Sequence, residues 1–382
     1  MSRCVPTVQG PPPPDPLVHR SRCNPFRVED LRGLKPRVAR SKLDLPPSQP
    51  WAEGCNPFGI VGRQLPALRR ALPRVLKFVG LCMIVLATDA EAQRGSRGSG
   101  TLVYETTSPY HHIRVVDEAG LRTLYFDAGM ETRMSLKNGL EGHFEYIDYF
   151  HMPWLWNTQI TNVLMIGLGG GSAQRAFQYY YPDVAFRTVE IDPTVVRVAQ
   201  EFFNVRESEN QKIEISDGRV FLRRSTARYD VILLDAYVAD RYGSSIPQHL
   251  ATKEFFELAR DHLTTNGVVA YNVIGTLYGW HADIIGAIYK TLQAVFPQVY
   301  LFPATTSMNI VIIATRSPVK ANIQGVRWRA AQMVEGKRIT LPGFRQRVES
   351  FQNTAPVSAF RSPVLTDDFA PVEGLSGESR NR

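Results

Sequence analysis

The sequence predicts an α/β fold, a doubly wound sheet preceded by a small β-hairpin module. Three observations carry that reading. From residue 157 onward short apolar runs alternate strictly with amphipathic stretches, a glycine-rich turn follows the first of those runs, and carboxylates recur at the ends of the runs that follow. Strict alternation of strand and helix is the pattern of a parallel sheet with helices on both faces. With 382 residues the chain has room for two or three domains.

The elements follow in order. Residues 102–104, 113–116 and 121–126 are β-prone, with Glu118-Ala119-Gly120 as a turn between the last two. The aromatic-rich stretch 140–156 is expected to be helical. A buried strand is expected at 163–166, a helix at 172–180, a strand at 185–189 and a helix at 193–203, with Pro193 at its first turn. Further strands are expected at 212–215, 231–234 and 268–273, and helices at 252–262 and 279–296. The last helix carries Ile284, Ile285, Ile288, Leu292 and Val295 on one stripe. Residues 298–302 and 309–314 read as closing strands. The predicted division is a β module over 101–156, the sheet domain over 157–315 and a C-terminal extension over 316–382.

Charge is distributed unevenly. Residues 1–92 hold 14 Lys and Arg against seven Asp and Glu, whereas the remaining 290 residues hold 30 against 29. Nearly all of the net charge of +8 therefore belongs to the N-terminal extension, and a basic face for nucleic acid is not expected on the folded part. Arg223-Arg224 and Arg327-Trp328-Arg329 read as solvated faces. All four cysteines, Cys4, Cys23, Cys55 and Cys82, precede residue 93 and show no CxxC spacing. No metal centre, disulfide framework or thiol nucleophile is expected in the folded region.

Residues 1–60 are rich in Pro and Arg and without periodicity, a composition that buries too little apolar surface to offset chain entropy, so disorder is expected. Over 61–92, Arg69, Arg70 and Arg74 precede an apolar run at 75–87, broken by Lys77, that ends in Ala90-Glu91-Ala92. That order matches a secretory signal peptide, or an anchor giving membrane association through 75–87. The run is short of the roughly 20 residues of a membrane-crossing helix. A signal begins a chain, so this reading places the true start downstream of residues 1–60. The other reading is a basic leader with a chance apolar patch.

The segment Val163-Leu164-Met165-Ile166-Gly167-Leu168-Gly169-Gly170-Gly171-Ser172 reads as strand, glycine turn and helix start. Glycine lets a ligand approach the backbone closely there. Glu190 ends the next strand, 23 residues after Gly167, where a carboxylate accepts from ribose hydroxyls, and Asp192 lies beside it. Asp217-Gly218 closes the third strand, at a place suited to an adenine amine, and Asp235 ends the fourth. Ligands of open α/β sheets bind beyond the carboxyl ends of strands, so these residues together predict a Rossmann-like nucleotide site. The spacing Gly-x-Gly-Gly-Gly fits a nucleoside-sulfonium site better than the Gly-x-Gly-x-x-Gly of dinucleotide binding.

These motifs resemble the spermidine synthase (polyamine aminopropyltransferase) family, in its bacterial spermidine synthase-like branch. The resemblance runs through most of residues 101–303. It includes Glu105-Thr106-Thr107-Ser108-Pro109-Tyr110, the glycine turn, Val189-Glu190-Ile191-Asp192, Asp217-Gly218, 229–235, Asp235-Ala236-Tyr237, 246–255, and the C-terminal 365–373. It implies a Rossmann-like doubly wound sheet of S-adenosylmethionine-dependent transferase type. It also implies transfer of an aminopropyl group from decarboxylated S-adenosylmethionine to a small-molecule amine such as putrescine, in a homodimer, without a metal.

By position, Gly167, Gly169, Gly171, Glu190, Asp192, Asp217 and Gly218 hold the donor. Asp235 and Tyr237 are the implied catalytic pair, and Tyr110, His111 and Asp240 meet the substrate. Of His111-His112, only one is expected to face the pocket, because neighbours in a strand face opposite ways. His249, next to Pro247, reads either as reaching the pocket over the Asp235 loop or as a turn residue leading into a helix. The chain departs from the family pattern with Gly170 in place of an Asp, Val238 in place of a second Asp (Asp240 follows two positions on), His111 in place of a Gln, and His143-Phe144-Glu145 in place of Tyr-His-Glu. The alternatives are an S-adenosylmethionine-dependent methyltransferase and, from another class, a non-catalytic nucleoside-binding or scaffold protein. A cytosolic donor favours a cytoplasmic catalytic domain, and the signal-like segment favours export or anchoring.

Overall fold

A computed structural model describes residues 100–240, 243–279 and 281–376. The predicted extension over 1–60 and the signal-like segment over 61–92 lie outside the described residues. No described helix is long and apolar enough to cross a membrane.

The β module is a four-stranded antiparallel sheet, β1 Thr101–Thr107, β2 His112–Glu118, β3 Leu121–Phe126 and β4 Gly129–Ser135, paired in chain order. The sequence reading lacks β4. Composition hides it, because its two buried positions are Thr132 and Met134, and only one of these is apolar. Ile113, Val115, Leu124, Phe126 and Met134 of this sheet pack against Val195, Val198 and Phe203.

The single helix expected at 140–156 is instead two short pieces, α1 Tyr146–Tyr149 and a 3-10 turn Met152–Leu155. Pro153 lacks the N–H that a continuing α-helix needs. Every residue of both pieces is buried, so the aromatic content reflects packing on all sides rather than one helical stripe.

The main sheet interleaves strands and helices: β5 Asn162–Ile166, α2 Ser172–Tyr180, β6 Ala185–Glu190, α3 Pro193–Phe202, β7 Gln211–Ile215, α4 Gly218–Arg224 and β8 Tyr229–Leu234. A small ribbon, β9 Val238–Asp240 with β10 Gly243–Ser245, comes next. Then follow α5 Lys253–Asp261, β11 Leu263–Ile274, α6 Ala282–Gln293, β12 Gln298–Pro303 and β13 Asn309–Thr315. The seven large strands lie in the order β12-β13-β11-β8-β5-β6-β7. Strands β11, β8, β5, β6 and β7 are parallel, whereas β13 runs antiparallel to both neighbours. The closing strand β13 departs from the parallel pattern because only residues 304–308 join β12 to β13, too short a link for a crossover. Helix α4, seven residues long, was also absent from the sequence reading.

Side chains of β5 alternate between two cores. Leu164 and Ile166 join α5 and α6 on one face, and Val163 and Met165 join Phe177 of α2 on the other. Each such buried side chain contributes about 1.5–3 kcal/mol relative to exposure. The C-terminal segment closes over both faces. Helix α7, Ile323–Glu335, adds Val326, Ala330 and Met333 to the second core, and Leu365 and Val372 join the first. Two short helices complete the chain, α8 Phe344–Arg347 and α9 Val372–Leu375.

Candidate active site

The chain leaves β5 for β6 and β7 on one side and returns as β8 on the other, so the strand order reverses between β5 and β8. A crevice opens beyond the carboxyl ends of strands at such a point. Gly167 follows β5 and Asp235 follows β8. The Asp235 N–H donates to the Ile166 carbonyl at 2.9 Å. Gly167 has φ of 97°, and a Cβ there would overlap the Asp235 carbonyl. Glycine is therefore required on both conformational and spatial grounds. Above this seam lies a cavity of about 360 Å³, within the usual range for small-molecule sites.

Gly167, Leu168 and Gly169 line the cavity, but Gly171 does not. At φ of 71° Gly171 turns the chain into α2 with its Cα against Val205, so its part in the site is shape rather than donor contact. Arg175 grips the turn from behind. Its guanidinium donates to the Gly170 carbonyl, to the Phe203 carbonyl at 2.8 Å and to the Gly139 carbonyl at 3.2 Å. Burial lowers its pKa to about 10, so it remains a cation at neutral pH. Nothing in the sequence reading marked it.

Glu190 and Asp217 line one half of the cavity together with Gly218. Glu190 accepts from the Leu168 N–H at 2.8 Å and the Asp192 N–H at 3.0 Å, and burial raises its pKa. The two backbone donors fix the carboxylate at the end of β6, beside the glycine turn. Gly218 packs against Ile166, leaving no space for a side chain. Asp217 caps α4 by accepting from the Val220 N–H at 2.8 Å. His249 Nε2 lies 2.7 Å from its other oxygen, and that hydrogen bond is the largest cause holding the Asp217 carboxyl below the usual range. His249 both sits in a 3-10 turn leading toward α5 and lines the cavity, so its two expected roles coexist.

Asp192, placed with the donor ligands by sequence, is instead fully buried and absent from the lining. It caps α3 through the Thr194 N–H at 2.8 Å and accepts from the Ser108 hydroxyl, which ties the β module to the sheet domain.

Asp235 dominates the other half. It accepts from the Tyr146 hydroxyl at 3.0 Å and from Asn272 Nδ2 at 2.9 Å, and Asn309 in turn donates to Asn272 Oδ1 at 3.1 Å. Burial pushes the Asp235 pKa up to about 6 despite those donors. Tyr237 lines the cavity, but its hydroxyl donates to the Asn272 carbonyl at 2.8 Å and accepts from the Ile274 N–H at 2.9 Å. With the hydroxyl committed to backbone on both counts, Tyr237 is a post that holds β11 rather than a catalytic acid or base. Tyr110 and His111 line the same cavity, with Tyr110 exposed and His111 buried and stacked on Phe126. His112 turns away to Glu105 at 2.9 Å, as the strand alternation requires. Asp240 pairs through its backbone with Gly243 in the small ribbon.

Among the lining residues that escaped the sequence reading are Tyr146 on α1, Asn272 on β11 and Glu131 on β4. Asn272 is a polar residue inside an apolar run, a signal that was present. Glu131 lies on the strand that went unseen. Ser244 Oγ donates to it at 3.3 Å, and burial followed by the charge of Asp235 pushes its carboxyl up to about 7. Glu145, aligned by resemblance with a family carboxylate, faces the other way. Its Oε2 accepts from the N–H and hydroxyl groups of Thr305 and Thr306 at 2.8–2.9 Å, and Arg347 donates to Oε1 at 2.8 Å.

Residues 144–316 match the model of the spermine/spermidine synthase domain. The chain is similar to a polyamine aminopropyltransferase from Vibrio vulnificus, with 28% identity over 316 residues that cover 79% of this chain and 98% of that protein. It is similar as well to an eEF1A lysine and N-terminal methyltransferase from Xenopus laevis, with 32% identity over 158 residues, 40% of this chain and 22% of that protein. Among solved structures, a probable spermidine synthase from Corynebacterium glutamicum has the same fold, with a TM-score of 0.54 at 16% identity, over 71% of this chain and 99% of that one.

Proposed function

We propose, from the match of residues 144–316 to the spermine/spermidine synthase domain, that this protein transfers an aminopropyl group from decarboxylated S-adenosylmethionine to a small amine such as putrescine. The observation that carries the reading is Asp235, a half-buried carboxylate at the end of β8 facing the glycine turn, with a pKa raised to about 6. An alkylammonium titrates near 10, so an attacking amine must lose its proton before it displaces a sulfonium. Asp235 holds the incoming cation and takes the proton. The amine nitrogen then forms a bond to the aminopropyl carbon next to sulfur, the carbon–sulfur bond breaks, and methylthioadenosine leaves with the electron pair. Tyr146 and Asn272 hold Asp235 in position. Glu190 takes the ribose and Asp217, set by His249, the adenine. Gly167 and Gly169 allow the donor to lie on the backbone.

One observation favours a methyltransferase, the partial similarity to the eEF1A-directed enzyme. Against it, among the described residues Glu131, Glu190, Asp217 and Asp235 line the cavity and no Lys or Arg does. The carboxylate of intact S-adenosylmethionine meets no side-chain cation among the described residues. Donors of this class are made inside cells, which supports a cytoplasmic catalytic domain over an exported one. The reading is tested by offering the purified protein the decarboxylated donor with a panel of monoamines and diamines. Amines heavier by one aminopropyl unit support it, and an unaltered panel contradicts it.

A further inference from the structure

We propose that Glu131 binds the primary ammonium at the end of the donor's aminopropyl chain, and that this contact lets the site tell that donor from nucleosides lacking the amine. The inference rests on the aminopropyl-transfer reading and names the group behind its donor specificity. Between β3 and β4 the register passes from Leu124 opposite Thr132 to Tyr125 opposite Met130, leaving Glu131 as the extra residue of a β-bulge. Bulges re-aim side chains beside active sites. Here the bulge brings Met130, Glu131 and Thr132 all onto the cavity wall, where a regular strand would turn alternate residues away.

The position beside the glycine turn follows from Thr132. Its hydroxyl accepts from the Gly170 N–H at 2.9 Å. Its methyl would lie 2.6 Å from a Cβ on residue 170, so no side chain fits at that point of the turn. The turn itself supplies no side chain to this edge of the site, and Glu131 of β4 is the carboxylate that lines it.

Charge supports the assignment. Glu190 and Asp217 occupy the nucleoside half, whereas Glu131 and Asp235 face the remaining half, with no Lys or Arg in the lining among the described residues. A transferred chain ending in a cation supplies the missing positive charge. The same wall offers His111, 7% exposed, with Nδ1 lacking a hydrogen-bond partner among the described residues.

The test is calorimetric titration of the full chain with three neutral thioethers. These are methylthioadenosine, 5′-propylthioadenosine and 5′-(3-aminopropyl)thioadenosine, of which only the last carries an ammonium. Wild-type protein is expected to prefer the amine-bearing compound over its propyl counterpart by about tenfold or more, the scale of a hydrogen bond to a charged group. Glu131→Gln is expected to erase that preference and leave methylthioadenosine affinity unchanged within about twofold. If the variant weakens all three compounds alike, Glu131 is structural and the proposal falls, while the transfer reading stands. The wild-type comparison is independent of how the variant folds, and equal binding of the two propyl compounds also overturns the proposal. If wild-type protein binds none of the three, the transfer reading fails and this inference with it.

Discussion

Tyr146 and Asp235, 89 positions apart in the chain, are joined by a 3.0 Å hydrogen bond in which the tyrosine donates. This bond stabilises the ionised carboxylate and opposes the burial that raises its pKa. Asp235→Asn is expected to lower the transfer rate by roughly 10²–10⁴, the range for losing a general base. Binding of methylthioadenosine should be nearly unaffected. In wild-type protein the rate is expected to rise with pH through about 6 as Asp235 ionises. Tyr146→Phe removes a donor to the ionised form, so it should move that limb to higher pH. A pH–rate profile of the three proteins checks all of this.

The same raised pKa has a consequence for stability. A carboxyl whose folded-state pKa exceeds its unfolded value binds protons more tightly when folded. Its contribution is complete below the unfolded value of 3.8 and is lost as pH rises through about 6. Asp235→Asn is therefore expected to melt higher than wild type at pH 7–8, by a stability difference on the order of 1–3 kcal/mol, with the gap closing toward pH 4.

Gly167→Ala places a side chain at φ of 97° and against the Asp235 carbonyl. Strain of this kind costs on the order of 1–3 kcal/mol before any overlap is counted. A clear fall in melting temperature and loss of nucleoside binding are expected. Gly325→Ala in α7 is the control, since its Cβ would meet only Asn322 Oδ1, at 3.4 Å. It should leave both readouts intact.

Glu145 separates position in the sequence from position in the site. It holds the Thr305–Thr306 segment and Arg347 rather than a ligand. Glu145→Ala leaves those donors and the Arg347 charge without their partner, and a loss of about 3–5 kcal/mol is expected from breaking such a buried pair. At a temperature where the variant is still folded, its KM for the amine should match wild type.

Asp367 reaches the nucleoside half through Arg219, which donates to both carboxylate oxygens at 2.7 and 2.6 Å, and Thr252 donates to it at 2.7 Å. Arg219 follows Gly218 and so connects the C-terminal segment to the Asp217 wall. Asp367→Ala is expected to weaken methylthioadenosine binding several-fold. Its stability cost should be only about 1 kcal/mol, because the carboxylate is 41% exposed and water screens the pair.

The strand and helix order of the sheet domain was legible because its cores alternate in β5 and recur along α6, so period alone marks them. Helix α2 agrees with the expectation at both ends, fixed by the glycine turn before it. What the sequence could not convey was direction. Glu190 and Asp192 are two residues apart at one strand end, yet the first faces the cavity and the second folds back to cap α3. Glu131 was invisible for a related reason: neither a polar strand nor a bulge within it leaves a periodic trace. The carboxylates beyond β6, β7 and β8 were recognised because their strand-end positions repeat, whereas Tyr146 and Glu131 reach the cavity only through tertiary packing.

The central claim is that the cavity breaks the bond between sulfur and the aminopropyl carbon. The measurement closest to it is mass spectrometry of the nucleoside released when the protein is given decarboxylated and intact S-adenosylmethionine, each with and without putrescine. Methylthioadenosine formed only with decarboxylated donor and amine together is the expected result. S-adenosylhomocysteine from the intact donor would contradict it and identify a methyltransferase.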